Sequence, residues 1–284
     1  MANVRDIRRR IRSAKNIQQI TRAMKFVSAA RLRKAQERVV AARPYARQMM
    51  AVLNSLATRV PEQTHPLLAQ REGNRIELII ITADKGLCGA YNTNIVKHAL
   101  EFITGRPDAS VELNILGKRG RDFFRRRSYP VRHEAINILQ KPSFADAAAI
   151  AGDVIEEFEA ERKDQVWIIY NEFKSVVQQQ VVSELLLPIK KLEGREQAHA
   201  VEYLYDEPPE KIFNNLLPRY VESQIFRALL EAAASEQGAR MTAMDAATKN
   251  ASDMIESLTL YANKVRQAGI TKELIEVVSG AAAG

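Results

Sequence analysis

Residues 81–94, ITADKGLCGAYNTN, hold the most motif-like chemistry in the chain: a strand, a glycine-bearing turn, then a helix start. Such a turn can hold a phosphate on backbone amides that lack partners inside the helix. The spacing matches neither GxxxxGK followed by Ser or Thr, nor GxGxxG. The expectation is therefore a tight turn at the carboxyl edge of a sheet, with Cys88 buried as a small apolar side chain. GKRGRDFFRRR (117–127) pairs basic and aromatic residues and could touch phosphates. The plainer reading docks Phe123 and Phe124 on a sheet and leaves the arginines in water. His65, His98, His133 and His199 are dispersed without metal-ligand spacing, and Glu156, Glu157 and Glu159 read as a solvated helix face. No Ser/His/Asp or Cys/His set supports a nucleophilic site. No catalytic, cofactor or metal site is expected.

The elements that would position these residues fall into three segments. Between about 72 and 208, RIELIIIT (75–82), SVELNIL (110–116), DQVWIIY (164–170) and VVQQQVVSELLL (176–187) read as strands, and VRHEAINIL (131–139) as a fainter one. Helical patterns near 92–104, 118–127 and 143–161 alternate with them. That alternation predicts a Rossmann-like α/β domain with a mostly parallel sheet.

Long helical patterns flank it. Val4, Ile7, Ile11 and Ala14 form a stripe that slips by one through Ile17, Ile20, Met24 and Val27. It settles at Leu32, Ala35, Val39, Ala42, Ala46, Met49, Leu53 and Leu56. A second stripe after Pro218 takes Met244, Ala247, Ala251, Met254, Leu258, Tyr261, Val265 and Ala268. Gaps of three and four in alternation are the heptad seam of a coiled coil, here with one register discontinuity. Pro44 predicts a kink, and Gly238 and Gly269 each cost a helix about 1 kcal/mol relative to Ala. A sixty-residue helix is ~90 Å long, against a diameter near ~40 Å for a 140-residue domain. The expected architecture is an antiparallel two-helix coiled coil made by the chain's two ends, carried on a central α/β foot. The boundaries are 1–60, 61–208 and 209–284.

Charge is localised as well. The chain has 42 Lys and Arg against 34 Asp and Glu; fifteen of the basic and only two of the acidic residues lie in 1–60. The remaining 27 basic and 32 acidic residues make the rest slightly acidic. Such a basic segment serves either nucleic acid or acidic protein surfaces. Its spread from Arg5 to Arg47 along the seam-bearing helix favours a protein partner; a basic nucleic-acid-binding coiled coil is the alternative. No run of eighteen apolar residues predicts a membrane span, the charged N-terminus does not read as a signal peptide, and the single cysteine fits a reducing compartment.

RRRIRSAKNIQQITRAMKFVSAARLRKAQ (8–36) closely resembles the N-terminal helix of the gamma subunit of F-type ATP synthases. SEQGARMTAMDAATKNASDMIESLTLYANKVRQAGITKELIEVVSGAAA (235–283) resembles that family's C-terminal helix, and ITADKGLCGAYN (81–92) its signature turn. EYLYDEPPEKIFNNLLPRYVESQIF (202–226) continues the match. The resemblance implies a non-catalytic rotor: a coiled-coil shaft inside a ring of three alpha and three beta subunits. Its foot rests with the epsilon subunit on the membrane's ring of c subunits. Proton flow turns it and drives ATP synthesis, with ATP, ADP and magnesium held by alpha and beta and no cofactor on this chain. It also implies a peripheral location on the cytoplasmic face of a bacterial membrane, without insertion or direct contact with nucleic acid.

Carried over by motif, Met24 and Lys25 face the beta-subunit lever with its acidic loop. Arg240, Gln267 and Thr271 meet other beta-subunit loops, and Tyr203 and Tyr205 belong to the foot near epsilon and the c-ring. ELIEVVSGAAAG is the apolar tip in the ring's bearing. Ala90 stands where the family commonly has glycine, and Gly238 and Gly269 where it usually has Ala or Ser, a local softening. The chloroplast type's regulatory cysteine insertion is missing.

Overall fold

Apolar strands that bury both faces make the middle of the chain a parallel sheet, and heptad spacing makes its two ends long helices. The structure, a computed structural model, describes residues 4–57, 65–176, 178–189 and 207–282. Helix α1 runs Val4–Ala57 and is followed by a 3-10 turn at Pro66–Leu68. Then come β1 (Arg75–Ile81), α2 (Tyr91–Thr104), β2 (Ser110–Leu116), α3 (Lys118–Phe124) and β3 (Val131–Ala135). A second 3-10 turn, Ile138–Gln140, leads into α4 (Phe144–Glu159), β4 (Gln165–Phe173), β5 (Gln179–Leu187) and α5 (Pro209–Ala282).

The strand order is β3-β2-β1-β4-β5, with the first four parallel and β5 antiparallel to β4. The expected α/β architecture with long terminal helices is thus present. Two strands are shorter than the sequence suggested. Asn137, at φ 66°, turns the chain away after β3. Ser175 and Gln178 close a turn before β5, with the Gln178 amide donating to the Ser175 hydroxyl. Helix α5 opens nine residues before Pro218, which lies inside it, and α1 continues through Pro44. In each case one amide donor is lost from the helix without ending it.

The chain divides into two compact units, Met1–Ser28 with Arg240–Gly284, and Ala29–Ala239. In the larger unit the sheet is packed on both faces. On one lie α4, through Ile150, Val154 and Phe158, together with Met49, Leu53 and Leu56 of α1 and Leu217, Val221 and Ile225 of α5. On the other lie α2 and α3, through Ile95, Ala99, Phe102 and Phe124. A capping box at Ser143 and Asp146 starts α4.

In the smaller unit α1 and α5 run antiparallel. Steps of three and four along α1 are matched by steps of four and three back along α5 in the pairs Gln18–Ser252, Thr21–Thr248 and Lys25–Asp245. The register discontinuity expected in α1 does not occur. The covered positions here include Ile7, Ile11, Ala14, Gln18, Thr21, Lys25 and Ser28, an unbroken heptad stripe, with Met24 half-buried beside it. Thr21 is 8% exposed and its neighbour Ile20 is 59% exposed. The apparent slip came from following apolar residues where the seam is filled by polar ones. A similar correction applies to α5: the seam takes Met244, Thr248, Ala251, Ile255, Leu258, Ala262 and Val265, while Met254 and Tyr261 are exposed.

Candidate functional site

The carboxyl edge of the sheet is where an α/β protein of this strand order takes a ligand, because the chain leaves β1 and β4 in opposite directions there. In this chain the place is occupied by α5. The Tyr91 hydroxyl donates to the Ala232 carbonyl at 3.1 Å, and the Ser235 hydroxyl donates to the Asn171 carbonyl at 3.0 Å. Gly238 faces the β4–β5 hairpin, where a Cβ would make ordinary contact with Phe173 and Gln179 at 3.4 Å.

The 82–90 turn is consumed by its own fold. Asn92 accepts from the Ala83 amide at 2.9 Å and donates to the Cys88 sulfur at 3.2 Å. Asp84 accepts from the amides of Lys118 and Asn137, both at 3.0 Å. The Tyr91 and Asn94 amides bond to the Cys88 and Ala90 carbonyls. Leu87 and Gly89 take the positive φ values, 63° and 57°, whereas Ala90 sits at φ −82°, so its departure from glycine is without strain. Cys88 is buried, as expected. Phe124 is buried too, with Arg127 stacked on Phe123 at 3.6 Å and Arg125 bonded twice to Glu134.

Charged groups that sequence reading passed over tie this unit together. Glu77 on β1 is fully buried between Asn114 on β2 and Arg132 on β3, and Arg132 also grips Asp153 of α4. Burial pushes the Glu77 carboxyl up, while Arg132 holds Asp153 down. Arg227 of α5 donates to Glu184 of β5 at 2.6 Å, and Glu184 also accepts from the Tyr170 hydroxyl at 3.1 Å. Burial raises Glu231 and Tyr170 in the same cluster. The available signal was a lone carboxylate in an apolar strand, as in RIELIII. These groups fasten elements to one another. Among the described residues no set of three His, Cys, Asp or Glu is gathered for a metal.

The residues carried over by motif do not converge on a pocket. Met24 and Lys25 are half-buried in the smaller unit, with the Lys25 ammonium 2.5 Å from Asp245. Arg240 is buried, and Gln267 and Thr271 are exposed. From residue 240 to 271 a helix rises ~47 Å, so these positions are strung along α5. Next to Thr271 and beyond it, Ile270, Leu274, Ile275, Val277 and Val278 are all exposed. Tyr203 and Tyr205 lie outside the described residues. No described helix is long and apolar enough to cross a membrane.

Comparison with known proteins identifies the family. The family model described as ATP synthase matches residues 3–283. The chain is 53% identical to the ATP synthase gamma chain of Solibacter usitatus, over all of this chain and 99% of that one. It is 49% identical to that of Desulfitobacterium hafniense, with the same coverage. Among solved structures it resembles a chain of the central stalk and c-ring of Tetrahymena thermophila mitochondrial ATP synthase, at 29% identity and TM-score 0.62 over 80% of this chain and 99% of that one. It shares the fold of a chain in the Euglena gracilis mitochondrial enzyme at 21% identity and TM-score 0.68, over 99% and 94% of the two chains. The chain belongs to the gamma chain family of F-type ATP synthases.

Proposed function

We propose that this chain is the rotating shaft of an ATP synthase without a catalytic centre of its own, with nucleotide and magnesium held by the alpha and beta subunits. One observation carries the absence of catalysis: α5 fills the crevice at the carboxyl ends of β1 and β4, where a ligand would otherwise enter. The shaft consists of the helical segments 1–60 and 209–284, and the foot of 61–208. Three alpha and three beta subunits surround one such chain, and epsilon and the c-ring hold its foot on the cytoplasmic side of a bacterial membrane. Met24, Lys25, Gln267 and Thr271 face beta-subunit loops, with Lys25 toward an acidic one, and Arg240, buried in this chain, lies on the same matched stretch of α5. Tyr203 and Tyr205 belong to the epsilon and c-ring contact, and the exposed apolar end of α5 to the ring's bearing. Rotation driven by proton flow carries the three catalytic sites through their affinities in turn. The nucleic-acid alternative, which charge alone left open, is displaced by the full-length family match.

Reconstitution tests this reading. Mixed with alpha and beta subunits, the chain should be recovered at one copy per three beta subunits. The isolated chain should show no ATP turnover. Turnover by the isolated chain, or failure to enter the ring, would sink it.

A further inference from the structure

We infer that Asp245 is a positioning residue for Lys25, an internal carboxylate that keeps the lysine's contact with beta from becoming exclusive. The inference rests on the proposed contact between Lys25 and an acidic loop of beta. Three polar rungs cross the α1–α5 seam in succession, Gln18–Ser252, Thr21–Thr248 and Lys25–Asp245. The first two are half-buried, but the third opens to solvent: its side chains are 37% and 61% exposed, at an N–O distance of 2.5 Å. Lys25 therefore has an acidic neighbour on its own shaft and remains accessible to another.

An ion pair this exposed is held weakly, so a second carboxylate can displace the first with an equilibrium constant within about fivefold of unity. A shaft that turns past three copies of one loop needs such an exchangeable contact. With Asp245 neutralised, the ammonium has no carboxylate to return to, and each passing loop is released more slowly.

The test uses the complete synthase in inverted membrane vesicles, comparing wild type with Asp245→Asn, Asp245→Glu and Lys25→Gln. The readout is proton pumping per ATP hydrolysed. Asp245→Asn should lower this ratio by about twofold to fivefold. Added salt should restore it, and Asp245→Glu should match wild type. The isolated Asp245→Asn chain should melt within about 2 °C of wild type. A lowered ratio for Lys25→Gln with a wild-type ratio for Asp245→Asn would overturn the role of Asp245 and leave the beta contact standing. Wild-type ratios for both variants would overturn the contact and the inference together. Equal impairment by Asn and Glu, tracking lost melting temperature, would reduce Asp245 to a structural residue.

Discussion

Glu77 is the residue whose environment departs most from what its type suggests. Its carboxylate is inside the sheet, and Arg132 is the cation that makes this tolerable. Replacing Arg132 with Met strands that carboxylate, and should cost about 3–5 kcal/mol in urea unfolding. The pH dependence has two signs. Burial raises Glu77, so its contribution is fully present below the unfolded value and is lost as pH rises through the folded one. Asp153 and Asp164 are lowered, first by hydrogen bonds from Arg132 and Arg75 respectively. Their contributions are present above the unfolded values and are lost as pH falls through the folded ones. Acid unfolding should thus begin just below the ordinary aspartate range, and Asp164→Asn should flatten that limb of a stability-versus-pH curve. Two glycines separate strain from propensity. Gly117 is at φ 107° and a Cβ there would lie 1.9 Å from the Thr82 carbonyl oxygen, so Gly117→Ala should destabilise by at least about 2 kcal/mol. Gly269 has no such neighbour within 4 Å, so Gly269→Ala should stabilise the end of α5 by up to about 1 kcal/mol, read as slower amide exchange.

At the scale of the element, the α1–α5 pairing in the smaller unit shows how period and identity can come apart. Its spacing is that of any coiled coil, but Gln18, Thr21, Lys25 and Ser28 occupy consecutive seam positions on α1. Polar residues at such positions fix register at some expense of stability. The hydroxyls of Thr21 and Thr248 meet at 2.8 Å, and each also reaches a carbonyl of its own helix, Gln18 and Met244. A double-mutant cycle with Thr21→Val and Thr248→Val should therefore give a coupling of about 0.5–1 kcal/mol, with the double variant at least as stable as either single one. A coupling near zero would show that the backbone carbonyls alone satisfy both hydroxyls. The period was legible in the sequence over most of both helices. The face was not, because an apolar scan follows Ile17, Ile20 and Val27, which the structure leaves exposed.

For the molecule as a whole, side chains exposed on this chain become tests of its surroundings. Ala246 is exposed and Ala247 half-buried. Ala246→Leu should leave the isolated chain within about 0.5 kcal/mol of wild type. In the assembled synthase it should lower proton pumping per ATP hydrolysed if a partner closes on that surface; an unchanged ratio would show that no partner packs tightly there. By itself the sequence determined the two long helices, the mostly parallel sheet between them and the family. Those follow from local periodicity and from motifs contiguous in the chain. Only the tertiary structure decided which helix face is the seam, that α5 fills the crevice of the sheet, and that Glu77 meets Arg132. Each of these joins residues far apart in sequence, and a polar residue's place depends on whether a distant partner offsets the cost of taking it out of water.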